Sequence, residues 1–442
     1  MPDPLSIPSM RRDLILLTAI CTFLWCGSMW GWPIRGTDET RYTGVARELL
    51  GRSNWLVLTW RGEPYDEKPP LAFWMMGGLM KITGMDNAWL LRLPTFLAAL
   101  ATTLLTYTIA RRFISAPAGL TSALLLATAP LYSNQAVTAR LDMISTAYMT
   151  LALGLWLGAR ASNSMSWGAR AAFWASLAAA FFTRNALMPA LLLLIILIDC
   201  ARAHSLRPWR ITAPAIGLTA LAAFIAAWFY TQHKLYPAGV VKNQWQEQIV
   251  DRLEGSTRHG KPFWYYPIAL AEGWGPWVVL LAWAAIDAIA GWLYEKRQRS
   301  TSNSESSLNV ERWTLDVGRS TLMPSPWPPL VTWVLLPLLI LSLVGAKRPQ
   351  YLLPLYPAIA ILIAHFFDTR LASNSFTLFS RRFNLQQLAY LVLTLALLAH
   401  AAYFYAYLPG AASGEDQSIS ASEPQPTAIE TPIARRFDAL ML

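Results

Sequence analysis

The sequence predicts an all-α polytopic membrane protein with about eleven transmembrane helices, in a range of ten to thirteen, on three observations. Only 14% of its 442 residues are charged and 55% are hydrophobic, whereas soluble globular proteins carry about a quarter charged residues. The apolar residues fall in blocks long enough to span a hydrocarbon core of about 30 Å. The 21 Trp and 16 Tyr residues gather near block ends, as aromatic belts do at membrane interfaces.

The expected spans run 13–33, 90–110, 116–131, 141–159, 168–183, 185–200, 209–230, 275–294, 327–344, 350–367 and 386–408. The first follows Arg11-Arg12 and is not closed by a small-x-small cleavage pattern, so it reads as a retained helix rather than a signal peptide. Two connections are long, 33–89 and 231–274. In the first, 41–50 (RYTGVARELL) reads as a short amphipathic helix, and 69–80 is apolar but too short to span, so it lies on the interface or re-enters it. The Ser- and Asn-rich stretch 300–325 reads as a flexible loop. Residues 1–408 therefore form one membrane domain, followed by a short flexible tail at 409–442.

Charge sets the orientation. With the N-terminus in the cytoplasm, the inner connections hold Arg111, Arg112, Arg160, Arg202, Arg207, Lys296, Arg297, Arg299, Arg370, Arg381 and Arg382, the bias of the positive-inside rule. The net charge of +10 is thus accounted for by topology, which excludes a nucleic-acid role. Cys21, Cys26 and Cys200 lack metal-ligand spacing and read as small buried apolar residues.

Long outer loops rich in Trp and Tyr, held on a rigid scaffold, are the usual place for a site. Asp38 and Glu39 follow the first span at once. Two carboxylates there can hold a metal, bind a cationic group or act as a base; the plainer reading is a cap on the helix at 41–50. Glu67 and Lys68 stand before Pro69-Pro70, which restrict the backbone; Lys68 meets a lipid phosphate or snorkels to headgroups. Arg140 and Asp142 begin the fourth span two residues apart, so they do not share a helix face and each looks to its own partner. Arg184, Lys347 and Arg348 lie on the outer side against the charge bias, which suits an anionic headgroup or pyrophosphate. His259 lies in the second outer loop beside basic residues, without an HxH or HxxxH pattern. The common theme is an outward-facing cavity at the membrane surface, fitted to a substrate with a lipid tail and a phosphate head.

The ordered set DETRY (38–42), DEKPPL (66–71), RLP (92–94), ARLD (139–142), HGKPFWYY (259–266), GWGPW (273–277) and KRPQYLLPLYP (347–357) resembles the bacterial GT-C fold glycosyltransferases of the ArnT and protein O-mannosyltransferase superfamily. Within it, the chain is similar to the aminoarabinose transferase that modifies lipid A. The resemblance implies a GT-C fold in the bacterial inner (cytoplasmic) membrane, working as a monomer with its site on the periplasmic face. It implies transfer of a sugar, with inversion, from a polyprenyl (undecaprenyl) phosphate donor to a lipid, glycan or protein acceptor. Asp38 matches the acidic residue that orients or deprotonates the acceptor, Lys68 the lysine near the donor phosphate, and Asp142 a cavity carboxylate. Tyr42, Glu67 and Arg140 match positions lining the same cavity. Glu67 and His259 match a pair that holds a divalent metal (zinc, magnesium or manganese) in some relatives; no obligatory cofactor is implied. The characterised relatives are longer and carry an outer C-terminal domain, so lipid A, another glycan and protein O-glycosylation all stay open as acceptors. Outside the enzyme class, a polyprenyl-linked sugar or lipid transporter is the alternative; it would set its charges through the membrane midplane, not on one face.

Overall fold

The computed structural model describes residues 7–236, 261–286, 327–345, 347–371, 375–378 and 381–384, with Leu395 and Leu398. The architecture is helical. A first helix, α1 (Ile7–Gly31), leads into two short helices, α2 (Thr37–Leu50) and α3 (Leu71–Thr83), separated by a two-stranded hairpin, β1 (Thr59–Trp60) and β2 (Glu63–Pro64). Then follow α4 (Ala88–Phe113), α5 (Ala116–Thr128), α6 (Pro130–Ala136), α7 (Leu141–Ser162), α8 (Trp167–Thr183), α9 (Leu187–Arg202), α10 (Arg207–Arg210) and α11 (Pro214–Leu235). Further on are a helix over Tyr265–Ile286, a helix over Trp327–Leu343, a 3-10 segment Pro349–Leu355 running into Tyr356–Phe366, and an antiparallel pair Ser375–Leu378 and Arg381–Asn384.

Six helices are long and apolar enough to cross a membrane by length and composition: Ser9–Trp30, Ala88–Phe113, Leu141–Ser162, Pro214–Leu235, Tyr265–Ile286 and Pro349–Thr369. Among the described residues this corrects the expectation of about eleven. The reason is length. The expected span at 116–131 is cut by Pro130 into α5 and α6, of 13 and 7 residues. Those at 168–183, 185–200 and 327–344 are helices of 17, 16 and 17 residues, and 17 residues at about 1.5 Å each reach about 25 Å. The expected span 386–408 lies outside the described residues apart from Leu395 and Leu398, as do the loop 295–326 and the tail 409–442.

Helix α4 is the central strut and packs most extensively on α5 and α7. Its threonines bond back to their own helix, Thr102 to the Ala98 carbonyl at 2.7 Å and Thr106 to the Thr102 carbonyl at 2.7 Å, so no hydroxyl is stranded there. The contacts at its two ends differ. At one end Arg92 meets Glu39 of α2; at the other Arg111 donates to Asp13 of α1 at 2.9 Å and to Ser9 at 2.7 Å.

The first long loop is folded. On α2 the buried positions Asp38, Tyr42, Val45, Ala46 and Leu49 follow the i, i+4, i+7, i+8, i+11 stripe of one helix face. On α3 the stripe is Ala72, Phe73, Met76, Gly77 and Met80, and the two stripes pack together. A Cβ at Gly77 would stand 3.4 Å from the Ala46 carbonyl, and one at Gly44 would land in the Trp60 ring. The hairpin is tied to α2 by Glu48, which accepts from the Arg61 backbone N–H at 2.6 Å and from the Thr59 hydroxyl.

Candidate active site

The site begins with the start of α2. The sequence suggested a helix from residue 41, whereas α2 begins at Thr37, behind Gly36 with φ 73. Asp38 and Glu39 therefore occupy its first turn, where the helix dipole favours anions. Being adjacent, they point to different neighbours, and the fold gives them separate tasks.

Glu39 is structural. It is 1% exposed and pairs with Arg92, also 1% exposed, through Nε to Oε1 at 2.8 Å and Nη2 to Oε2 at 3.1 Å. Arg92 also donates to the carbonyls of Met29 (3.1 Å), Trp32 (2.7 Å) and Pro33 (2.8 Å) at the end of α1. Glu39 accepts from the backbone N–H of Ala139 at 2.9 Å and of Arg35 at 3.1 Å. One buried pair thus joins the end of α1, the start of α2, the first turns of α4 and the strand-like entrance to α7.

Asp38 faces the opposite way, into a cluster. Its Oδ2 accepts from Arg140 Nη1 at 2.8 Å and from Arg348 Nη1 at 2.7 Å, and its Oδ1 from Arg41 Nη2 at 3.1 Å. Arg41 also donates to Glu67 Oε1 at 2.7 Å. These five side chains come from the first loop, the start of α7 and the segment after Leu343. Three guanidinium groups against two carboxylates leave one net positive charge. The Nε atoms of Arg41 and Arg140 are buried and make no hydrogen bond among the described residues. Burial alone would raise the Asp38 pKa, but Arg348 and Arg140 outweigh it and hold the carboxyl below its ordinary value. Burial pulls the Arg348 guanidinium down, and the facing Asp38 reverses the sign.

A second pair stands beside the first. Asp142 forms an ion pair with Arg184, whose guanidinium lies 4.5 Å over the Tyr351 ring. Arg140 and Asp142 thus reach separate partners, as their spacing on α7 requires. Tyr42 is buried between the two groups, and burial, followed by the Asp142 and Asp38 charges, pushes its phenol above the ordinary value. Tyr42 is therefore a neutral hydroxyl at any physiological pH.

The remaining candidates fall around this centre. Lys68 is half-buried one residue after Glu67, just before Pro69-Pro70 and the N-terminus of α3. Lys347 turns away: its Nζ donates to the carbonyls of Lys261 (2.8 Å) and Val344, and burial lowers its pKa. The backbone alternates direction at this point, so of the basic pair only Arg348 reaches Asp38. His259 lies outside the described residues.

No group of three or more His, Cys, Asp or Glu side chains able to hold a metal gathers among the described residues. Both Asp38 oxygens and one Glu67 oxygen are already held by guanidinium groups, a donor set that repels a cation. So paired, Asp38 and Glu67 do not form a metal site among the described residues.

Residues 67–230 match the family model described as dolichyl-phosphate-mannose-protein mannosyltransferase. The chain is 27% identical over 342 residues to the undecaprenyl phosphate-alpha-4-amino-4-deoxy-L-arabinose arabinosyl transferase of Edwardsiella ictaluri, covering 76% of this chain and 56% of that one. It is 30% identical over 372 residues to the protein of the same name from Pseudomonas aeruginosa, covering 82% and 61%. The fold superposes on the crystal structure of ArnT from Cupriavidus metallidurans bound to undecaprenyl phosphate with a TM-score of 0.64 at 21% identity, over 80% of this chain and 60% of that one.

The chain is thus similar in sequence to ArnT and to the protein mannosyltransferases, and it shares the fold of ArnT.

The chain spans about three fifths of the length of the relatives it matches. The loop after α1, the entrance to α7 and the segment after Leu343 build the cluster. Sequence reasoning missed Arg41, Glu39 as a strut, and Arg92. A signal for Arg92 existed: an arginine inside an expected span is costly unless paired.

Proposed function

We propose that this GT-C protein is an inverting membrane glycosyltransferase. It moves a sugar from a polyprenyl-phosphate donor, undecaprenyl phosphate in a bacterium, to a lipid, glycan or protein acceptor on the periplasmic face of the inner membrane. The observation that carries the reading is the Asp38 cluster: one ionised carboxylate gripped by Arg41, Arg140 and Arg348, with net positive charge and buried guanidinium N–H groups left over. Guanidinium groups bind phosphate oxygens through paired, charge-assisted hydrogen bonds.

The chemistry follows from that charge. The bond from the anomeric carbon to the phosphate oxygen breaks, and its electron pair stays on that oxygen. The acceptor oxygen bonds the anomeric carbon from the opposite face in the same displacement, which inverts the configuration. Negative charge that builds on the departing phosphate is met by the fixed cations Arg140 and Arg348, with Lys68, the residue after Glu67, as a further candidate, and preorganised charge of this kind lowers a barrier without reorganisation. Asp38, kept ionised by the same arginines, orients the acceptor and takes its proton where it has one. For a phosphate acceptor little proton transfer is needed, and Asp38 then acts by position. Asp142, held by Arg184, and the neutral Tyr42 hydroxyl line the acceptor side.

The topological part of the proposal goes beyond the six long helices. Contacts at 38, 140, 184, 236 and 348 fall at one end of the bundle, and those at 13, 111, 160, 199 and 368 at the other. That alternation supports membrane crossings by some of the shorter helices beside the six long ones.

The test is reconstitution in liposomes with radiolabelled polyprenyl-phosphate sugars and a membrane extract. Label moving to lipid A, another glycan or protein, and lost in Asp38→Ala and Lys68→Ala proteins that still insert and fold, supports the enzyme and names the acceptor. Label that only crosses the membrane, still on its donor, sinks it in favour of transport.

A further inference from the structure

A cavity opens at the far end of α4. From Arg92 to Arg112 is twenty residues, about 30 Å along a helix axis, so this cavity lies at the opposite end of the bundle from the Asp38 cluster. Its volume is about 440 Å³, within the range of small-molecule sites. Leu105, Ile109, Leu151 and Leu155 form an apolar trough between α4 and α7, and Arg112 and Ser166 stand among its polar lining. None of the lining residues is a carboxylate.

Three features give the trough a sign and a shape. The GxxxG step Gly154–Gly158 on α7 brings that helix close to α4: a Cβ at Gly154 would stand 2.9 Å from Ile109 Cδ1, and one at Gly158 2.9 Å from Arg112 Nη1. That contact fixes where the Arg112 guanidinium lies. Its neighbour Arg111 is spent on Asp13, Tyr107 and Ser9, whereas Arg112 forms no ion pair with any described carboxylate within 4.0 Å and lies 5.8 Å from the Phe113 ring. Finally, the 17-residue helix α8 starts at the cavity. Ser166 caps it by accepting from the Ala169 N–H at 3.2 Å, and its dipole adds to the positive field.

We propose that this trough binds an anionic phospholipid of the bilayer leaflet opposite the catalytic site, with one acyl chain between α4 and α7 and the phosphodiester on Arg112. An apolar slot beneath a single cation matches a lipid with a charged head, and a basic pocket between membrane helices is a recognised place for one.

The experiment is native mass spectrometry of the full chain released from detergent, titrated with phosphatidylglycerol, phosphatidylcholine and undecaprenyl phosphate. Wild type should retain one phosphatidylglycerol in preference to phosphatidylcholine. Arg112→Gln should weaken that retention about five- to tenfold, the loss of one charge-assisted contact, and Arg112→Lys should restore most of it. Ala169→Phe, which fills the trough without touching a charge, should also abolish it. Unfolding temperatures without added lipid identify any variant that has merely lost its fold. Equal retention of both phospholipids, unchanged retention in folded Arg112→Gln, or a preference for undecaprenyl phosphate that Arg112→Gln removes would each overturn the assignment. The readout is lipid binding and stands apart from sugar transfer.

Discussion

Replacing Arg92 by Met tests how the site is held together. The side chains are of similar length, so the change removes charge and hydrogen bonds more than volume. Arg92 makes five hydrogen bonds, two to Glu39 and three to carbonyls at the end of α1. Both partners are 1% exposed, so Glu39 would be left as a buried charge without its counter-ion. Breaking such a pair from one side costs about 3–5 kcal/mol, because the survivor keeps its desolvation penalty. Glu39→Gln should cost less, since the amide oxygen can still accept from Ala139 N–H, and Arg92 keeps its three carbonyls. The double variant should be less damaged than the sum of the singles, with a coupling of about 2 kcal/mol or more. The assay is thermal unfolding in one detergent for all four proteins, followed by sugar transfer at a temperature where each is folded. Transfer should fall in Arg92→Met even when folded, because Glu39 also holds Ala139, next to Arg140 on Asp38. Wild-type unfolding and wild-type transfer in Arg92→Met would refute the strut. Additive single effects would refute the pairing.

Other consequences follow from the same contacts. Arg348→Gln and Arg140→Gln should each lower turnover at least tenfold while unfolding close to wild type, since both groups are partly exposed and a lost charge-assisted contact to a developing phosphate charge is worth about 1.5–3 kcal/mol; normal turnover in both would remove the phosphate role. Asp38 is held below its ordinary pKa by those arginines, so its contribution is present above the unfolded carboxylate pKa and is lost as pH falls through the lower folded one. The acid limb of transfer against pH should therefore move to higher pH in Arg348→Gln; a fixed limb would mean that another group titrates. Gly44→Val should destabilise by about 1–3 kcal/mol, the cost of overpacking, because even a Cβ there meets the Trp60 ring, and Trp60→Ala should relieve part of it. Chelators should leave transfer unchanged if the described acidic residues are its whole acidic set; loss restored by one divalent ion would bring His259 and Glu67 back as ligands.

Much was legible because a membrane imposes local rules. Apolar block length and charge placement located helices at α1, α4, α7 and α11 without any knowledge of packing, since each must satisfy its backbone within itself. The helical character of α2 was readable from its periodicity, and α3 stands where the short apolar segment was expected. Basic residues against the charge bias singled out Arg184, Lys347 and Arg348, and charged residues at the edges of expected spans singled out Asp38 and Arg140. Partnership was another matter. That Asp38 gathers Arg41, Arg140 and Arg348 depends on contacts up to 310 residues apart, and no local period encodes which end of a helix meets which loop. Glu39 and Asp38 are indistinguishable neighbours in the sequence; a rotation of about 100° per residue around α2 sends one to Arg92 and the other to the cluster. Lys347 and Arg348 part in the same way, one bound to backbone carbonyls and one to Asp38. The chain by itself determined which charged groups stand near the ends of apolar blocks. Only tertiary packing decided which of them share an ion pair or a hydrogen bond, because that depends on distances of a few ångströms between segments remote along the chain.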